Sequence, residues 1–189
     1  ALLRKLISEH CVRAGLAGAA TTVATVVPGI GPLADLAFGI VGDAVFTSHV
    51  QLDLILRIFA LYEREPQLED ERRILIWLGT VGAGGTALVA QIANQIAGQV
   101  ITRFAGRVLK RGLPLFEVLL STATHVVGTY LVAERARRWC ETGDDRLDFA
   151  LKGHLALLTE LVQSTFSQLF TGAERAASGL WAFASKLLP

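Results

Sequence analysis

The sequence predicts an all-α fold, a single-domain bundle of about seven helices built around one small-residue-rich hairpin. Three observations carry that reading. Apolar residues recur at helical spacing along most of the 189 residues, and no stretch keeps a period of two. No Asn-Gly hairpin signal occurs. Helix-stopping segments divide the chain at Pro28–Pro32, Gly82–Gly85, Gly112 to Pro114 and Gly143.

The first helix is expected from Leu2 to about Val27. Leu2, Leu3, Leu6, Ile7 and Val12 supply its apolar side, and Arg4, Lys5, Glu9 and Arg13 its polar side. Beyond Arg13 the charges stop, so this half must be surrounded, either inside a domain or by lipid. Ala14/Gly18 and Gly15/Ala19 make small-xxx-small pairs that let backbones approach. The Pro28-Gly29-Ile30-Gly31-Pro32 turn then reverses the chain into a second helix reaching Tyr62, with Asp35 near its positive end. Together, 14–62 form the hairpin, which is either buried or dips into a membrane.

Residues 63–73 are the most charged in the chain and read as a solvated corner. A third helix starts near Leu68, acidic first and basic after. The Gly82–Gly85 segment ends it, and a fourth helix follows from Ala87 to Arg111. Pro114 opens a fifth helix that runs to about Thr142. Gly143, Asp144 and Asp145 cap it and start an amphipathic helix over 147–170. A short last helix, 173–188, carries Trp181 and Phe183. The central helices therefore occupy 68–142 and the C-terminal ones 145–188, within one domain spanning 1–189.

Hydrophobic residues make up 52% of the chain and charged residues 19%, against about 25% charged in an average soluble domain. The mean hydropathy is +0.47. A net charge of +1 argues against nucleic acid as a partner. Cys11 and Cys140 stand far apart and read as free thiols in a reducing compartment. The chain starts at Ala1 and contains no Met, so a preceding segment is expected. None of the four most apolar stretches is a clean membrane span, because Asp35, Asp43, Gln91, Asn94, Glu117 or His125 interrupts each long one.

No catalytic motif, metal-ligand spacing or phosphate loop is present, and neither a cofactor nor an enzymatic reaction is expected. His10, His125 and His154 read as satisfied structural histidines. The strongest candidate polar site is the stripe of Asp35, His49 and Asp53 on the second helix, with Asp43 to one side. Asp35 and His49 would lie about 21 Å apart along the axis, too far to share an ion. His49 and Asp53 are spaced to pair along the helix. Arg103, Arg107, Lys110 and Arg111 form one basic face suited to anionic lipid headgroups. Trp181 and Phe183 suit an interfacial anchor, or a cover over the core of the same domain.

Two blocks of sequence resemble the EcsC family of bacterial helical proteins. A related helical domain follows the GTPase module of some bacterial membrane-associated GTPases. The blocks are VVPGIGPLADLAFGIVGDAVFTSHVQLDLILRIFALYERE (Val26–Glu65) and VITRFAGRVLKRGLPLFEVLLSTATHVVGTYLVAERARRW (Val100–Trp139). The family pattern carries Gly after the Ala-Leu-Tyr ending, where this chain has Glu63, and often Asn where it has His125. The resemblance implies a bacterial, cytoplasmic module peripheral to the inner membrane, without implying a reaction.

The expected function is thus a non-enzymatic helical domain that binds membrane lipid or a membrane-bound partner. Two alternatives stay open: a soluble carrier holding a lipid or small hydrophobic ligand in an inter-helical cavity, and a pore-forming or effector protein. Association with a second copy of the chain is also open.

Overall fold

The computed structural model describes residues 1–26, 40–82, 87–108, 115–144, 154–169 and 171. Side chains are described at 1–22, 44–79, 87–102, 116–144, 154–169 and 171. Among these residues the structure is helical, with no strand: α1 (Leu2–Val26), α2 (Ile40–Leu61), α3 (Leu68–Gly82), α4 (Ala87–Val108), α5 (Leu115–Thr142) and α6 (residues 154–169). The all-α class stands; six helices fall among the described residues, where about seven are expected over the whole chain. The proposed last helix, the Pro-Gly turn and the start of the second helix lie outside the described residues.

The helices end where local chemistry dictates. Glu63 takes a left-handed backbone (φ 52°) beyond α2; its N–H donates to Ala60 O at 3.1 Å, and that of Arg64 to Phe59 O at 3.0 Å. This doubly bonded C-cap normally uses glycine. Gly143 (φ 72°) closes α5 through its N–H to Trp139 O at 3.0 Å. At the start of α3, Asp70 reaches back to accept the Gln67 backbone N–H at 2.9 Å, the return half of a capping box.

α5 is the central element: it packs against α1, α2, α3 and α4, and every residue from Val126 to Glu134 is buried. A helix apolar on all sides is satisfied only when surrounded. The charge-free half of α1 is one of its neighbours. Ala14 and Ala19 are fully buried. A Cβ at Gly15 would stand 2.7 Å from Val126 Cγ2 and 3.0 Å from Thr165 Cγ2, so α1 touches both α5 and α6 at backbone range there. Ala14, Gly15, Gly18 and Ala19 thus serve contacts within the domain.

Pairs of touching residues give the directions. Gly18 lies against His125 while Leu3 shares a pocket with Glu141, so α1 and α5 run antiparallel; Gln51 meets Thr129 and Tyr62 meets Glu141, so α2 and α5 run parallel. One corner is fixed by charge. The buried Asp70 carboxylate accepts the Trp139 indole N–H at 2.7 Å and Arg64 at 3.3 Å, while Arg73 stacks 4.1 Å from the Trp139 ring. Burial pushes Asp70 upward, but the Gln67 amide, the indole and the two arginines outweigh it and hold the carboxyl below its usual range.

α2 and α5 are long and apolar enough to cross a membrane by length and composition, over Ala44–Leu61 and Phe116–Thr142. Their surroundings differ. The α5 stretch is 67% buried inside the domain, as a core helix is, whereas the α2 stretch is only 39% buried.

Candidate functional site

The anticipated stripe on the second helix does not assemble as expected. Asp35 lies outside the described residues, and only the backbone of Asp43 is described. His49 is exposed, and Asp53 binds two other groups. Its Oδ2 lies 2.9 Å from His10 Nε2 and 2.8 Å from Arg57 Nε. His10, only 2% exposed, also has Nδ1 2.8 Å from the Leu6 carbonyl. Both imidazole contacts are to acceptors, so they are made together only when both ring nitrogens carry hydrogen. The His10 hydrogen bond, and after it that of Arg57, lower the Asp53 carboxyl below its ordinary value against a smaller opposing effect of burial. This cluster ties α1 to α2. The helical spacing of His49 and Asp53 loses to a histidine 43 residues away in sequence.

Of the basic face, Arg103 and Arg107 have only their backbone described, while Lys110 and Arg111, like Trp181 and Phe183, lie outside the described residues. Cys11 and Cys140 are free, and Cys11 is fully buried, which pushes its thiol far above the ordinary range. Among the described residues no three His, Cys, Asp or Glu side chains gather to hold a metal.

The most developed site is a pocket of about 570 Å³ between the first turns of α1, the C-terminal half of α5 and the start of α6. One wall is apolar: Leu3 and Ile7 from α1, Leu157 and Leu161 from α6. The opposite wall comes from one face of α5, where Tyr130, Glu134, Arg137 and Glu141 recur at three- and four-residue steps. His154 closes it, with Nδ1 2.5 Å from the Tyr130 hydroxyl, and Arg4 and Ser8 stand at the α1 edge.

Charges in this wall are organised in pairs. Glu134 is 4% exposed, and Arg137 grips it through Nε at 3.0 Å and Nη2 at 2.5 Å. Arg138 adds a contact at 3.3 Å, and Arg137 also reaches Glu141 at 2.6 Å. Burial acts to raise the Glu134 carboxyl, yet the two guanidiniums prevail and hold it below the usual range. Burial first, and the Glu134 charge second, push the Tyr130 phenol up to about 12, so it keeps its proton. The site can donate and accept hydrogen bonds beside an apolar wall.

Sequence reading took His154 as a structural histidine. The spacing of Tyr130, Glu134, Arg137 and Glu141 on one helical face was the available signal, but α1 and α6 complete the pocket. A second groove of about 510 Å³ runs between α4 and α6 past Gln99, Thr159 and Ser167, and holds no charged pair.

Comparison of the chain with family models, with curated proteins and with solved structures yields no match.

Proposed function

We propose that the chain is a non-enzymatic helical domain that associates with a membrane surface through the outer faces of α2 and α3. The observation that carries this reading is the exposure of large apolar side chains on these two neighbouring helices. Val45 is 64% exposed, Phe46 48% and Leu56 44% on α2, and Leu75 is 69% and Ile76 60% on α3. Surfaces rich in such groups serve lipid or partner contact far more often than free solvation. The buried stripe of α2 runs through Thr47, Gln51, Leu54, Ile58 and Phe59, so Val45, Phe46 and Leu56 lie on the opposite side, interspersed with His49, Asp53 and Arg57. Exposed Arg72, one turn before Ile76 on α3, adds a cation that attracts anionic headgroups, worth about 1 kcal/mol near such a surface.

In this reading Arg103, Arg107, Lys110 and Arg111 strengthen contact with anionic lipid, and Trp181 and Phe183 anchor at the interface. The EcsC-like resemblance supports the same reading, in which the domain acts at the cytoplasmic face of a bacterial inner membrane. Flotation with phosphatidylglycerol-containing vesicles tests the proposal. The chain is expected to rise with the vesicles, and Leu56→Asp with Ile76→Asp to hold it at the bottom. Wild-type protein that stays at the bottom overturns it. Flotation that persists in the double variant removes these two helices from the contact.

A further inference from the structure

We propose that the pocket between α1, α5 and α6 binds a single-chain amphiphile with a zwitterionic head, of the alkyl-phosphocholine or lysophospholipid class. None of its lining residues belongs to α2 or α3, so the site is separate from the membrane-facing surface proposed above. Its volume of about 570 Å³ falls within the range of small-molecule sites, about 300–1,000 Å³.

The division of the walls sets the chemistry. Leu157 is 42% exposed and faces the pocket together with Leu3 and Ile7, a surface that an alkyl chain covers. The facing α5 wall holds the Arg137 guanidinium and two carboxylates, Glu134 and Glu141, and the Arg4 guanidinium stands at the α1 edge. Their formal charges cancel. A singly charged head would therefore gain attraction from one pair and lose it to the other at similar range. A head with separated positive and negative groups satisfies both. Glu141, joined to Arg137 at 2.6 Å and to the Tyr62 hydroxyl at 2.6 Å, keeps a carboxylate at 35% side-chain exposure for the cationic end. Arg4 is exposed at the rim and has no ion-pair partner among the described residues, which leaves its guanidinium for the anionic end. Tyr130 and His154, already bonded to one another, sit beside the charge pairs as a hydrogen-bonding floor.

The test is a titration followed by ¹H–¹⁵N correlation spectra, using dodecylphosphocholine below its micelle-forming concentration. Dodecyl maltoside, dodecyltrimethylammonium and dodecanoate serve as comparators with the same chain. The phosphocholine is expected to bind saturably at one site, shift the amides around Tyr130 and His154, and bind at least tenfold tighter than each comparator. Leu157→Arg should weaken it at least tenfold, and Leu56→Asp, on the membrane-facing helix, should leave it unchanged. Leu157→Ser is the second variant if the arginine disturbs folding, because the position is surface-accessible. No saturable binding, equal affinity for all four heads, or unchanged binding in the Leu157 variant that folds each overturns the proposal. These outcomes are independent of vesicle flotation.

Discussion

The α-carbon of Gly18 on α1 lies against the imidazole of His125 on α5 so closely that any side chain at position 18 would overlap the ring. The ring cannot easily retreat, because Nδ1 is held 2.8 Å from the Ser121 carbonyl. The Gly18 carbonyl in turn accepts the Ser121 hydroxyl at 2.9 Å and those of Thr21 and Thr22. Gly18→Ala is therefore expected to destabilise the fold by about 1–3 kcal/mol through overpacking, although alanine favours a helix intrinsically. Gly98→Ala in α4 is the control: nothing lies within 4 Å of its added Cβ, and a gain of about 0.5–1 kcal/mol is expected. Urea midpoints of the two variants should move in opposite directions.

Glu63 holds a left-handed conformation that costs an ordinary residue roughly 1–2 kcal/mol. Glu63→Gly should raise stability by about 1 kcal/mol, less than the full strain because glycine also loosens the unfolded chain. A thermal melt decides it, and an unchanged or lower midpoint would mean the Glu63 side chain contributes more than its backbone costs.

The lowered Asp53 carboxyl predicts acid sensitivity with a definite sign. Its folded-state pKa lies below the ordinary value of 3.8, so its contribution is fully present above that value and is lost as pH falls through the folded pKa. Asp53→Asn removes this contribution. The stability gap between wild type and variant is therefore expected to be widest near pH 6 and to shrink below about pH 4. Asp70 and Glu134 are lowered too, but both proteins retain them, so their contributions cancel in the difference. Denaturant midpoints across pH 3–6 measure it, and a gap independent of pH contradicts the ion pair.

Two buried oxygens in α2 lack partners, Thr47 Oγ1 and Gln51 Oε1, one helical turn apart. Thr47→Val keeps the shape and deletes an unsatisfied hydroxyl, so a gain of roughly 1 kcal/mol is expected. Thr129→Val should act in the opposite direction by about 1–3 kcal/mol, because the Gln51 amide N–H now reaches Thr129 Oγ1 at 3.4 Å and would then be left with no acceptor. Calorimetric or denaturant stabilities of the two variants check the pair.

The sequence by itself determined the helical class, the end of α2, the start of α3 and the end of α5, because spacing, proline and glycine act within a few residues. The expected helix from Leu2 to about Val27 is found as Leu2–Val26, and the stops before Pro66 and at Gly143 fall where the chain loses its periodicity. It also made plain that the middle of α1 must be surrounded. Tertiary packing alone decided by what. Small residues fit a core and a bilayer equally well by composition, and only the placement of α5 and α6 against Gly15 and Gly18 makes those α1 contacts internal. The polar groups follow the same logic. Asp53 turned from His49 to His10, and Tyr130 met His154 across 24 residues, because a hydrogen bond depends on distance in space and helix crossings set that distance. Periodicity says which side of a helix is apolar; it does not say which neighbour stands there.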